Sequence, residues 1–119
     1  MEPGTDSASA GAADIAVDAK GALECVCSGA GLDPASRYYS PAFVDHVNDL
    51  EFHGLEGARR SIGLYKKTLS DLTISVTEQV REGDRVVSRF VVRGESFGRP
   101  VQFNGITISR FEKGLIVED

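Results

Sequence analysis

LTISVTEQVREGDRVVSRFVVRGESFGRPVQFNGITISRFEKGLIVED, residues 72–119, decides the fold. Its first eight residues alternate Leu72, Ile74 and Val76 with Thr73, Ser75 and Thr77. That period of two buries one face of a β-strand and leaves the other free. Glu82-Gly83-Asp84 supplies a turn. Residues 85–95 then read as a long strand, with Val86, Phe90 and Val92 on one face and Val87 and Val91 on the other. A strand apolar on both faces is expected to be covered on both sides and central in its sheet. After the loop SFGRP, Val101 and Phe103 keep one phase while Ile106 and Ile108 keep the other. One extra residue at Asn104-Gly105 would produce that slip, so a β-bulge is expected there. The Lys113-Gly114 turn feeds a last strand, Leu115 to Asp119.

Upstream the period lengthens. Residues 55–70 place Leu55, Ala58, Ile62, Tyr65 and Leu69 on one helical stripe, with Arg59, Arg60, Lys66 and Lys67 off it as a solvated face. Residues 14–29 carry Ala16, Ala19, Leu23, Val26 and Cys27 at helical spacing. Asp14 is placed to cap the start of that helix, and Gly29 with Gly31 to end it. A short helical turn is expected over 34–39, opened by Asp33 and Pro34, and another around 42–47. Helices first and strands second give an α+β fold. The expected architecture is a cone: a curved antiparallel sheet of at least four strands packed against three N-terminal helical segments. A bent sheet closed by helices can hold a small ligand in its mouth.

The 119 residues fit one domain, assigned to 13–119, after a disordered lead-in over 1–12 of small and polar residues. With 13 Lys and Arg against 18 Asp and Glu, the net charge of -5 argues against nucleic acid or an anionic membrane surface as partner. No apolar run is long enough to span a bilayer, and the N-terminus does not read as a secretory signal. Cys25 and Cys27 are too close in sequence for an unstrained bridge, so free, largely buried thiols in a reducing cytoplasm are expected. Two histidines beside them do not make a structural zinc site, and no metal is expected. HGLEG lacks the Lys-Ser/Thr of a phosphate loop.

RYYSPAFVDH, HGLEGARRSI, LTISVTEQVREGDRVVSRFVVRGESFG and VQFNGITISRFEKGLIVED, in that order, resemble the SnoaL-like polyketide cyclase family of the nuclear transport factor 2-like superfamily. The resemblance runs from about residue 36 to the end, with the first helix also in its expected place. It implies an α+β cone and a cofactor-free acid/base reaction in an apolar cavity. In cyclase members a carboxylate removes a proton beside a carbonyl and the enolate closes a ring. Such chemistry suits a base of raised pKa and a donor for the oxyanion. The superfamily also isomerises ketosteroids, opens epoxides, and serves plain binding or dimerisation, so fold does not choose the activity.

The family's last strand resembles G-K-I-V-E-H-W-D, and its aspartate does the chemistry. Here Leu115 replaces the Lys and Asp119 the His, and the aspartate position falls after Asp119. A truncated or non-catalytic form is therefore expected in preference to Asp119 taking over the acid/base role. Strand alternation would put Val117 and Asp119 on one face, and Ile116 and Glu118 on the other. Asp45-His46 matches the family's pair beside the pocket mouth, where His46 is either a proton shuttle or a capping residue. His53 reads as a plain loop residue.

Of Tyr38 and Tyr39, one is expected to line the pocket. Arg89, flanked by Val87 and Val91, either binds an anionic group or pairs across an interface, the second being favoured. Phe90, Phe103, Ile106, Ile108 and Phe111 form the apolar wall, with Asn104, Thr107 and Ser109 as its hydrogen-bonding groups. The expected ligand is a small apolar carbonyl compound, ring-closed or isomerised without a cofactor. The rivals are a non-catalytic ligand-binding or dimeric module and an epoxide hydrolase. A short last strand leaves an unpaired edge on its neighbour that another chain could fill, so a homodimer is expected.

Overall fold

Once the apolar period changes from helical to alternating after Ser70, every remaining segment pairs as a strand. The computed structural model describes residues 15–29 and 35–119, all with side chains except 27–29. The lead-in over 1–12 and the caps read at Asp14, Gly31, Asp33 and Pro34 lie outside the described residues.

Helix α1 spans Ile15–Gly21 and continues as a π-helical segment, Ala22–Gly29. Helix α2 is the single turn Ala35–Tyr38. Strands β1 (Tyr39–Val47) and β2 (Leu50–His53) precede helix α3 (Gly54–Thr68). The meander β3 (Ser70–Glu82), β4 (Arg85–Ser96), β5 (Arg99–Glu112) and β6 (Leu115–Glu118) completes the chain. All six strands form one sheet in the order β2-β1-β6-β5-β4-β3, antiparallel except where β1 and β6 run parallel. The fold is α+β, a curved sheet with its helices on the inner face, as the alternation and helix order indicate.

The helical turn expected around Ala42–Val47 is instead β1. Phe43, Val44 and Val47 favour extended backbone, and β6 and β2 offer ladders on both sides. Pro41 cannot donate to a ladder, and the β1–β6 register is irregular between Tyr39 and Val44. The β-bulge expected at Asn104-Gly105 is absent: β4 and β5 pair without a shift from Arg85↔Arg110 to Ser96↔Arg99. Phe103 and Phe111 point inward, whereas Ile106 and Ile108 belong to the outer face and are exposed. The apparent slip was two apolar faces of one regular strand. β4 does sit between β3 and β5, but it is covered on one side only; Arg85, Arg89 and Arg93 are exposed on its outer face. Cys25 is a free thiol and exposed, not buried.

The core has two parts. Ile15, Ala19, Val26, Tyr39, Phe43, Ile62, Val86, Phe111 and Ile116 pack as one cluster, and Leu23, Leu69, Leu72, Ile74 and Val92 as another. Glu24, on the π-helical segment, accepts the Val76 amide at 2.8 Å, where the β3–β4 register shifts between Val76 and Glu78. A ladder break would otherwise orphan such an N–H. Gly57 of α3 lies so close to β2 that a Cβ would come 2.7 Å from the Phe52 carbonyl carbon. Lys113 (φ 52°) and Gly114 (φ 81°) form the tight β5–β6 turn, both in the left-handed region that such hairpins require.

Candidate functional site

β6 is short, but a bulge gives it an unusual reach. Arg110 pairs with Glu118 and Phe111 with Ile116, so one residue of β5 spans two of β6 and Val117 is the extra one. Ile116 faces the core beside Phe111, Glu118 faces out beside Arg110, and Asp119 turns inward again, opposite Ser109. This corrects the strand alternation expected from sequence: Ile116, not Val117, shares the inner side with Asp119. The Asp119 backbone is held in the parallel ladder, its N–H donating to Val44 O (3.1 Å) and its carbonyl accepting from His46 N (2.9 Å).

The Asp119 carboxyl is buried. Ser109 donates a hydrogen bond to it, while Oδ1 has no partner among the described residues. Burial raises its pKa to about 7, partly opposed by the Ser109 hydroxyl and reinforced by the like charge of Asp45. Asp45, on β1, accepts a 2.7 Å hydrogen bond from Ser61 of α3. Its pKa is also raised, chiefly by burial, with the Ser61 bond and His46 pulling the other way. The charge of Asp45 thus acts on Asp119 at one end of a cavity.

His46 turns its ring away toward acids, with Nε2 2.8 Å from Glu118 and Nδ1 3.5 Å from Glu51. Arg110 reaches the other oxygen of Glu118 at 3.1 Å and Glu112 at 2.7 Å. The Arg110 and His46 hydrogen bonds hold the Glu118 carboxyl below its ordinary pKa. This chain of charges fastens β1, β6 and β5 just outside the residues that carry Asp45 and Asp119.

The cavity has a volume of about 500 Å³, within the usual range for small-ligand sites. Its floor is apolar: Leu23, Phe43, Ile62, Ile74, Phe90, Val92 and Phe103. Asp45, His46, Ser61, Tyr39, Tyr65, Asn48, Asn104, Thr107 and Asp119 supply the polar atoms. Of the residues singled out from sequence, Asp45, His46, Asp119, Tyr39, Phe90, Asn104 and Thr107 line it, and Ser109 holds Asp119. Tyr38 lies elsewhere, its ring against Gly21 and its hydroxyl bonded to Cys25. Arg89 is on the outer face with Glu78 at 3.4 Å, and Val117 sits buried at the bulge without lining the cavity.

Ser61 and Tyr65 escaped the sequence reading as site residues. Both fall on the α3 stripe with Ala58 and Ile62, and a serine inside an apolar stripe was the available signal. Among the described residues no cluster of His, Cys, Asp and Glu is arranged for a metal, and no helix is long and apolar enough to cross a membrane.

A SnoaL-like domain model matches residues 22–119. Among solved structures, TsrD from Streptomyces laurentii superimposes with a TM-score of 0.69 at 23% identity, over 94% of this chain and 87% of that one. A Jannaschia sp. CCS1 protein called a "Putative SnoaL-like polyketide cyclase" gives 0.79 at 17%, over 89% and 82%. A protein of ketosteroid isomerase-like fold from Catenulispora acidiphila DSM 44928, in complex with trimethylamine, gives 0.72 at 17%, over 88% and 81%. A search of curated proteins found no match.

Proposed function

The chain belongs to the SnoaL-like domain family, and from that premise we propose that it is a cofactor-free acid/base enzyme acting on an apolar carbonyl compound, by ring closure or isomerisation. The observation that carries this reading is the buried Asp119 carboxyl, with an unpartnered oxygen beside a cavity of apolar floor and a pKa of about 7. A base titrating near the working pH keeps a useful ionised fraction and still binds a proton well.

In the proposed cycle Asp119 takes a proton from the carbon beside the substrate carbonyl. The C–H electron pair becomes the enolate. For ring closure that carbanion attacks a second carbonyl carbon of the same molecule, and the resulting alkoxide takes up the proton. For isomerisation Asp119 returns the proton to a different carbon. The Tyr39 and Thr107 side chains are the candidate partners for the developing oxyanion. The Glu118–Arg110 pair, joined by the His46 ring, is proposed as the brace that fixes the strand end.

Epoxide opening is less well supported, since Arg89, the arginine read for it, lies across the sheet beside Glu78. A homodimer remains part of the proposal. β6 is flanked by β1 and β5 and pairs β5 only from Arg110 to Glu112, so the rest of β5 keeps an open edge. The outer sheet face carries exposed Val80, Ile106 and Ile108, an apolar surface that a second copy would cover.

The test is exchange. In D2O the protein is expected to speed deuterium incorporation beside the carbonyl of a simple cyclic ketone, and Asp119→Asn to lower that rate by about 10²–10⁴-fold. Equal rates for the two would remove Asp119 from the mechanism.

A further inference from the structure

Beside the acid-bearing cavity lies a second hollow of about 400 Å³. Val47, Ser61, Tyr65 and Phe103 line both, so the two adjoin along one wall. Beyond that wall the hollow is bounded by Leu64 and Leu69 from the α3 end, Phe52 from β2 and Val101 from β5. Two of its hydroxyls are already committed: Ser61 donates to Asp45 (2.7 Å), and Thr68 donates to the Leu64 carbonyl (2.8 Å). Leu64, Tyr65 and Phe103 remain 51%, 41% and 40% exposed. Large apolar side chains gathered at a concave surface are what a bound apolar group would cover.

We propose that these two hollows form one bipartite site for a ligand with a carbonyl-bearing head and an extended apolar arm. The head sits at Asp119 and Asp45. The arm passes Tyr65 and Phe103 and lies in the hollow between Leu64 and Val101. The shared lining of the two hollows selects this occupant, because Ser61, which bonds Asp45 at the acid-bearing end, also lines the second hollow. The inference rests on the reading of Asp119 as the reactive end. It goes beyond that reading by predicting a linear extension in the substrate, where the floor of the larger cavity alone would suit a compact ring.

A series of 2-alkanones from 2-butanone to 2-dodecanone tests it, each titrated calorimetrically into the wild type and Leu64→Asp. Deuterium exchange beside the carbonyl is followed in the same series. The expected result is a gain in affinity approaching roughly fourfold per methylene group, until the hollow is full, with the gain flattened in Leu64→Asp. Position 64 is half exposed, so the substitution is compatible with folding. Flat affinity along the wild-type series, with exchange intact, overturns the bipartite site and leaves the acid/base reading standing. Rising affinity that Leu64→Asp does not alter places the arm elsewhere and also overturns it. Rising affinity lost in Leu64→Asp, without exchange, supports the bipartite site and overturns the acid/base reading.

Discussion

Replacing Asp119 by Asn should change how stability depends on pH. In the folded protein the Asp119 carboxyl titrates at about 7, against an ordinary value of 3.8. Between those values the folded state holds a proton that the unfolded chain has released. The contribution to stability is therefore fully present below the unfolded pKa and is lost as pH rises through the folded one. About three pK units correspond to roughly 4 kcal/mol in total. Of this, about 2–3 kcal/mol falls between pH 5 and pH 8. At some 4 °C per kcal/mol for a chain of this size, the wild type should melt roughly 10 °C lower at pH 8 than at pH 5 from this group alone. Asn has the same shape and no charge, so Asp119→Asn should lose most of that slope. It should equal or exceed the wild type in stability at pH 8. At pH 5 it should be weaker by about 1–3 kcal/mol, because a buried amide there has fewer partners. Urea or thermal unfolding of both proteins at the two pH values reads all four quantities. Parallel pH profiles for wild type and variant would refute the burial argument, whatever the absolute stabilities.

Ser109 and Asp45 shift the Asp119 titration in opposite directions, the first by its hydrogen bond and the second by its charge. Ser109→Ala removes a donor that favours the carboxylate and should move the rising limb of the pH–rate profile to higher pH; Asp45→Asn removes a like charge and should move it lower. Gly57→Ala would gain about 1 kcal/mol in helix propensity. Its Cβ meets backbone of β2 at 2.7 Å, and overpacking of about 1–3 kcal/mol should win, seen as a lower Tm. In light scattering the wild type should have the mass of a dimer, and Ile106→Lys with Ile108→Lys that of a monomer; a monomeric wild type would contradict the assignment of the outer face.

Much of the fold was legible because the apolar periods were long and clean: sixteen residues of helical stripe and a meander with turn chemistry at Gly83 and Lys113-Gly114. β1 and β2 were not, because β1 owes its extended state to partner strands on both sides and β2 has only four residues. Ala42–Val47 has a helical reading locally and a strand's partners globally. The regular β5 was mistaken for a bulged one since Phe103 and Ile106 are both apolar, and sequence does not say which face is covered. The real bulge, at Val117, involves a single residue with no glycine to mark it. That bulge decides the site. Without it Asp119 would follow Val117's phase and face away from Ile116, and the strand-end reading from sequence would hold. Of the residues that line the cavity, Asp45, His46 and Asp119 were singled out by resemblance, whereas Ser61 and Tyr65 were hidden inside a stripe read as core.

The most direct measurement is the titration of the Asp119 side-chain carboxyl itself, followed by carbon-13 NMR on protein labelled at aspartate and assigned by Asp119→Asn. The account predicts a midpoint near 7, moved by binding of a ketone. A midpoint near the ordinary 3.8, unmoved by ligand, would mean a solvated carboxylate and would contradict a proton-transfer role for this residue.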